Sequence, residues 1–153
     1  MTNALDAAKY LAFAYNEQYE EVITEMKLHK LLYFAQREAL IVDDRPLFTD
    51  VFEGWRFGPV IPTIRYQFDI ICSSPKPRLD AFSETVLDET LRRYGSKDPW
   101  SLSRLSHGEY SWQQSRKGIS EYQNSNNDMS IDDIRIDAKR VKERREMLSN
   151  LGV

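Results

Sequence analysis

Phe52-Glu53-Gly54-Trp55-Arg56-Phe57-Gly58-Pro59-Val60-Ile61-Pro62 crowds aromatic side chains, two glycines and two prolines into eleven residues. Proline at 59 pushes Gly58 toward extended or otherwise special backbone angles, while Pro59 and Pro62 fix φ and remove two amide donors. A segment this constrained is expensive to order unless it packs, and Trp55, Phe57, Val60 and Ile61 supply the apolar area. None of them is a nucleophile, a base or a metal ligand. The stretch therefore predicts a rigid, irregular Trp-Gly-Pro corner with room for a short β-hairpin and a role as scaffold.

On either side of the corner the apolar residues recur at helical spacing. Leu5, Ala8, Leu11, Ala12, Tyr15 and Tyr19 form one stripe of a first helix that Thr2 or Asn3 would cap, with Tyr10 and Phe13 outside the stripe. A second helix over 24–42 carries Leu28, Leu31, Leu32, Ala35 and Ala39 on one face and Tyr33 and Leu40 on another, the pattern of a central helix covered on both sides. After the corner, a short helix over 62–71 brings in Ile64, Phe68 and Ile71, and Cys72 to Pro77 is a loop. Ser83 opens a helix that Gly95 ends, Asp98-Pro99 starts another with Leu102 and Leu105 inward, and Gly108 interrupts it before a brief helix over 111–116. Gln123 to Asp128 is a polar loop. Ser130 and Asp133 resemble a capping box for a last helix in which Ile131, Ile134, Ala138, Val141 and Leu148 alternate three-four, interrupted by Arg145. The expectation is an all-α, compact single-domain bundle of about six to seven helices. Its last part, 123–153, is a polar loop and a charged amphipathic helix. An isolated helix of this length is marginal in water, so that stripe must be buried on its own domain or on a partner.

Composition narrows the function. The 153 residues are 41% hydrophobic, enough for one core. A net charge of −3 argues against a general nucleic-acid binder, and the basic run Lys139-Arg140, Lys142, Arg144-Arg145, interleaved with Glu143 and Glu146, reads as a solvated helix face. A single cysteine, Cys72, excludes an internal disulfide or a cysteine-based zinc site and fits the reducing cytoplasm. No apolar run approaches membrane-spanning length, and the first fifteen residues do not read as a signal peptide.

No catalytic constellation emerges. His29 lies between lysines on the second helix, and His107 stands in Ser106-His107-Gly108-Glu109 at a helix end, where the helix dipole favours an imidazolium without any catalytic reason. Two histidines without a cysteine do not make a zinc site, and Asp43-Asp44 and Asp132-Asp133 read as turn and helix-start charges. No phosphate-cradling glycine loop is present, and no cofactor is implied.

The run Lys27-Leu28-His29-Lys30-Leu31-Leu32-Tyr33-Phe34-Ala35-Gln36, then Pro46-Leu47-Phe48, the corner itself and Tyr66 together resemble the Panacea antitoxin domain family, which includes SocA-like and GepA-like phage-associated proteins. Leu102 to Leu105, Ser106-His107-Gly108-Glu109 and Trp112 are similar to a later block of the same family. The resemblance runs over about 5–118 and defines 1–122 as a Panacea-like domain. His29 stands where the family usually has Gln, Gly54 where Ala is common, and Ser111 where Pro often precedes the Trp.

This resemblance implies a mostly helical, non-enzymatic antitoxin that neutralises the toxin of a neighbouring gene by direct protein contact. Trp55, Gly58, Pro59, Val60, Pro62, Tyr66, His107 and Trp112 are then family-motif residues with structural roles. Tyr10, Phe13, Tyr33, Leu40, Ile134, Val141 and Leu148 are the candidate partner-binding residues. Two other roles remain open at this level: a proteolytic adaptor that delivers a toxin to a ClpXP-type protease, and a DNA-binding autoregulator. The match begins so near Met1 that no separate DNA-binding module is expected ahead of it.

Overall fold

Helix α2 (Glu25–Asp43) is the axis on which the chain is wound, and every residue from Lys27 to Leu40 is buried. A helix buried all round must be covered on every side. In the computed structural model, which describes residues 1–152, the cover comes from five elements: α1 (Ala4–Tyr19), α5 (Ala81–Tyr94), α6 (Pro99–His107), α8 (Ile131–Asn150) and strand β2 (Gly58–Val60). With β1 (Glu53–Trp55), α3 (Pro62–Tyr66), α4 (Phe68–Ser73) and α7 (Tyr110–Ser115), the described residues form eight helices and one two-stranded antiparallel sheet. The count exceeds the six to seven foreseen because the helix over 62–71 breaks at Gln67 into α3 and α4, which each send one isoleucine, Ile64 and Ile71, into the core.

The helix starts are set locally, by side chains that accept otherwise unpaired amides. Asn3 accepts from Asp6, Thr24 from Lys27, Asp98 from Ser101 with Pro99 in the first turn, and Ser130 from Asp132. For α5 the cap is Asp80, which accepts from Ser83, so this helix begins two residues before Ser83. Both α1 and α2 end on a non-glycine residue in the left-handed conformation, Glu20 (φ 56°) and Asp44 (φ 49°).

The corner is a hairpin with register Glu53↔Val60, Gly54↔Pro59 and Trp55↔Gly58. Gly58 sits at φ 127°, closed to ordinary side chains, and a Cβ there would overlap the Lys30 ammonium and come within 3.0 Å of Ser106 Oγ. The polar loop before α8 edges the hairpin: Gly54 N–H donates to Asn127 O (2.8 Å) and Met129 N–H to Phe52 O (2.8 Å), which carries Met129 into the core. Phe57 and Leu105, expected to pack inward, are instead 48% and 45% exposed. Phe57 is in the hairpin turn, where its side chain meets Trp100 edge-on at the surface.

Ile134, Ala138 and Val141 of α8 are buried, and α8 packs on α2 and α7. Where Arg145 breaks the apolar stripe, its guanidinium donates to both oxygens of Glu38 (3.1 and 2.5 Å), a carboxylate buried in α2. The described chain ends at Gly152, so the last residue of the 123–153 segment lies outside it.

Gly58→Ala should destabilise by about 1–3 kcal/mol, read as a lower thermal midpoint. Arg145→Ala should lower the urea midpoint more than Glu38→Gln, because it strands a buried carboxylate, at about 3–5 kcal/mol. An Arg145 freed by the second change can turn to water.

Candidate functional site

The carbonyls of the corner are held from three directions. Trp112 Nε1–H of α7 donates to Trp55 O (2.8 Å), Arg116 to Gly54 O (3.1 Å), and both the Lys30 ammonium and Ser103 Oγ–H (3.1 Å) to Phe57 O. His107 stacks flat on Trp112, with ring centroids 4.2 Å apart. Pro59 and Val60 are buried, Pro62 starts α3 and is half-buried, and Trp55 is half-buried. Tyr66, the remaining motif residue, is 83% exposed and so has no packing role in this fold.

A half-open cavity of about 450 Å³ lies between the first turns of α2 and the hairpin, walled by His29, Lys30, Trp55, Arg56, Arg65 and Tyr122 among others. Burial lowers the Lys30 pKa to about 8. His29 is unusual, since neither ring nitrogen has a hydrogen-bond partner within the chain. Its pKa falls to about 4 through burial first, then the charges of Lys30 and Arg65. The imidazole is therefore neutral at pH 7, which makes it a spacer in α2 rather than a charged group.

A second hollow, of about 540 Å³, is bounded by the end of α5, by α6 and by the C-terminal half of α8. Beneath it lies a polar network that sequence reasoning missed. Arg37 pairs with Glu109 and donates to Tyr94 Oη (2.6 Å). Asp137 accepts from Tyr110 N–H (2.7 Å), Ser111 N–H (3.0 Å) and Tyr33 Oη–H (3.1 Å), fastening α8 to the start of α7 and to α2. Burial raises the Glu109 pKa to about 7 against the opposing pull of Arg37. The signal available in the sequence was that Arg37 and Glu38 interrupt a helix apolar on both faces. A charge in such a helix needs a partner from elsewhere, but nothing local names that partner.

The seven candidate docking residues divide by burial. Tyr10, Tyr33, Leu40 and Ile134 face the chain's own core and present no docking face: Tyr10 Oη–H donates to Asp88 (2.7 Å), and Tyr33 is fully enclosed, while Val141 is buried at the floor of the second hollow. Helical periodicity placed Tyr10 and Tyr33 off the main stripes, yet α5 and α8 cover those sides. Phe13 (37%) and Leu148 (43%) remain exposed.

The neutral His29 gives the fold a pH dependence of known sign. Its folded pKa, about 4, lies below the ordinary value of 6.5, so the unfolded chain takes the proton first and stability is lost as pH falls from 6.5 toward 4. Wild type should lose about 2 kcal/mol more than His29→Gln between pH 7.5 and pH 5. Paired urea melts of the two proteins measure that difference, and parallel curves would refute the neutral, buried imidazole.

The family model of the SocA-like antitoxin, Panacea domain, matches residues 28–113, which run from α2 through the hairpin to α7. Antitoxin SocA of Caulobacter vibrioides (strain NA1000 / CB15N) is 48% identical over 42 residues, 28% of this chain and 22% of that protein, so the aligned part is under a quarter of that relative's length. No solved structure matches the chain. A central helix, a glycine-proline hairpin and a tryptophan anchored to it thus fall within the matched segment, and the chain belongs to the SocA-like antitoxin family with the Panacea domain.

Proposed function

We propose that this protein is the antitoxin of a toxin–antitoxin pair and neutralises a toxin encoded by a neighbouring gene through direct protein contact. The match of the Panacea family model to the segment that builds the frame carries this reading. The site chemistry supports a non-catalytic role. His29 lacks any hydrogen-bond partner, His107 is stacked on Trp112, and burial and Asp69 hold the Cys72 thiol above its ordinary pKa, so none of the three is an activated nucleophile or a base aligned by a carboxylate. No helix of the described residues is long and apolar enough to cross a membrane, and the single free cysteine suits the cytoplasm.

Neutralisation by contact needs a rigid face of about 800 Å². Surface not consumed by the core includes Phe13 on α1 and Leu148 on α8, and these two remain the proposed contact residues of the original seven. The experiment is co-expression with the adjacent open reading frame, in a normal host and in one lacking ClpP. Relief of growth arrest in both hosts, with co-purification of the two proteins, is the outcome of direct neutralisation. Relief only in the normal host would make the protein a delivery factor for proteolysis, and no relief in either would end the antitoxin reading.

A further inference from the structure

The hollow between α5, α6 and α8 has a charge that the rest of the chain does not share. Arg93, Lys97, Arg104, Arg140, Arg144 and Arg145 line it, although the protein as a whole carries −3. Two of the six are in ion pairs, Arg93 with Glu89 (2.8 Å) and Arg145 with Glu38, while Arg104 donates to Ser101 Oγ (3.1 Å) and Arg140 lies over the Tyr110 ring (5.1 Å to its centroid). Lys97, Arg104, Arg140 and Arg144 are exposed and have no ion pair among the described residues. The two carboxylates in the wall offer them nothing. Glu109 is buried against Arg37, and both Asp137 oxygens are taken by Tyr33, Tyr110 and Ser111. Arg140 and Arg144 also stand four residues apart on one helix, a like-charge spacing that disfavours the helix on its own. Leu105 of α6 and Leu148 of α8, both nearly half exposed, add apolar area to the same wall.

Building on the antitoxin reading, we infer that this cleft is where the toxin docks, and that the docking element is an acidic, amphipathic segment whose carboxylates meet Lys97, Arg104, Arg140 and Arg144 while an apolar side chain rests against Leu105 and Leu148. Charge complementarity selects that occupant: four unpaired cations converge around one short hollow, and the desolvation a bound carboxylate suffers there is offset by bidentate contacts from arginine. A nucleic acid fits less well. Its backbone needs a basic track longer than one hollow, the chain's net charge of −3 disfavours it, and the two rings in the wall, Phe34 and Tyr94, are buried against each other and offer no face for a base.

The test compares wild type, the triple variant Arg104→Glu/Arg140→Glu/Arg144→Glu and the milder Arg140→Gln/Arg144→Gln, each as the full chain. These side chains make no ion pair within the fold and give up only the exposed Arg104–Ser101 hydrogen bond and the Arg140–Tyr110 cation–π contact, so the circular dichroism and thermal midpoint should stay close to wild type. The milder variant carries the test if the triple variant folds poorly. Affinity for the purified product of the adjacent gene should fall about a hundredfold for the triple variant and about tenfold for the milder one, with loss of growth rescue by the triple variant. Wild-type affinity should weaken as salt rises. If the folded variants bind and rescue as wild type does, the cleft is not the docking site, although the antitoxin reading stands. If wild type itself fails to rescue, the reading on which the inference rests falls with it. Retention of a 24-nucleotide DNA or RNA strand by wild type but not by the variants, at physiological salt, would assign the cleft to phosphate and overturn the inference.

Discussion

The burial of charged and polar heads along α2 is the constraint from which the tertiary arrangement follows. An unpaired charge or amide in the interior costs several kcal/mol, so each such head must be met by a group from another element. Lys27 reaches the carbonyl of Gly95 at the end of α5 (2.8 Å), and Lys30 that of Phe57 in the hairpin. Gln36 holds Phe48 O and Leu47 N–H in the connection that follows α2 (2.9 and 2.7 Å), Arg37 takes Glu109 at the start of α7, and Glu38 takes Arg145 of α8. Five polar heads on one helix thus specify where five other parts of the chain lie. Hydrophobic burial supplies the driving force, but oil-like contacts alone would tolerate sliding, whereas these pairs do not. His29 is the exception in the series. By remaining neutral it avoids the cost of a buried charge, but its two unpartnered ring nitrogens still carry the smaller cost of unsatisfied polar atoms.

The second consequence concerns surfaces. Because α2 is enclosed from Lys27 to Leu40, most of the exposed surface belongs to the elements that cover it. Helix α8 shows the division most clearly. Ile134 and Ala138 turn into the core, Asp137 and Val141 are buried at the floor of the cleft, and Arg140, Arg144 and Leu148 line it at the surface. One helix therefore both closes the core and lines the cationic cleft. The hairpin works in the opposite sense: its carbonyls are consumed by Trp112, Arg116, Lys30 and Ser103, so its role is to hold α2, α6 and α7 together.

Much of this is legible in the sequence. Helix starts at Asn3, Thr24, Asp98 and Ser130 follow from caps that act within four residues, and the Gly58-Pro59 pair foretold an unusual backbone because sterics at one residue decide it. The break at Gln67 was not legible, since no proline or glycine marks it. The docking residues were the weakest part. Periodicity assigns a residue to a side of its own helix and says nothing about which neighbour covers that side, so Tyr10 and Tyr33 were placed at a partner's surface when α5 and α8 enclose them.

The sequence by itself determined the helical character, the positions of most caps, the rigid bend at residues 52–62 and the family signature, because each depends on residues close together along the chain. Only the tertiary structure decided that Arg37 meets Glu109, that Glu38 meets Arg145, and that a basic run on α8 joins Lys97 and Arg104 to form one cationic cleft. Those groups are dozens of residues apart, and Coulomb attraction and repulsion depend on distance in space, which the order of residues does not record.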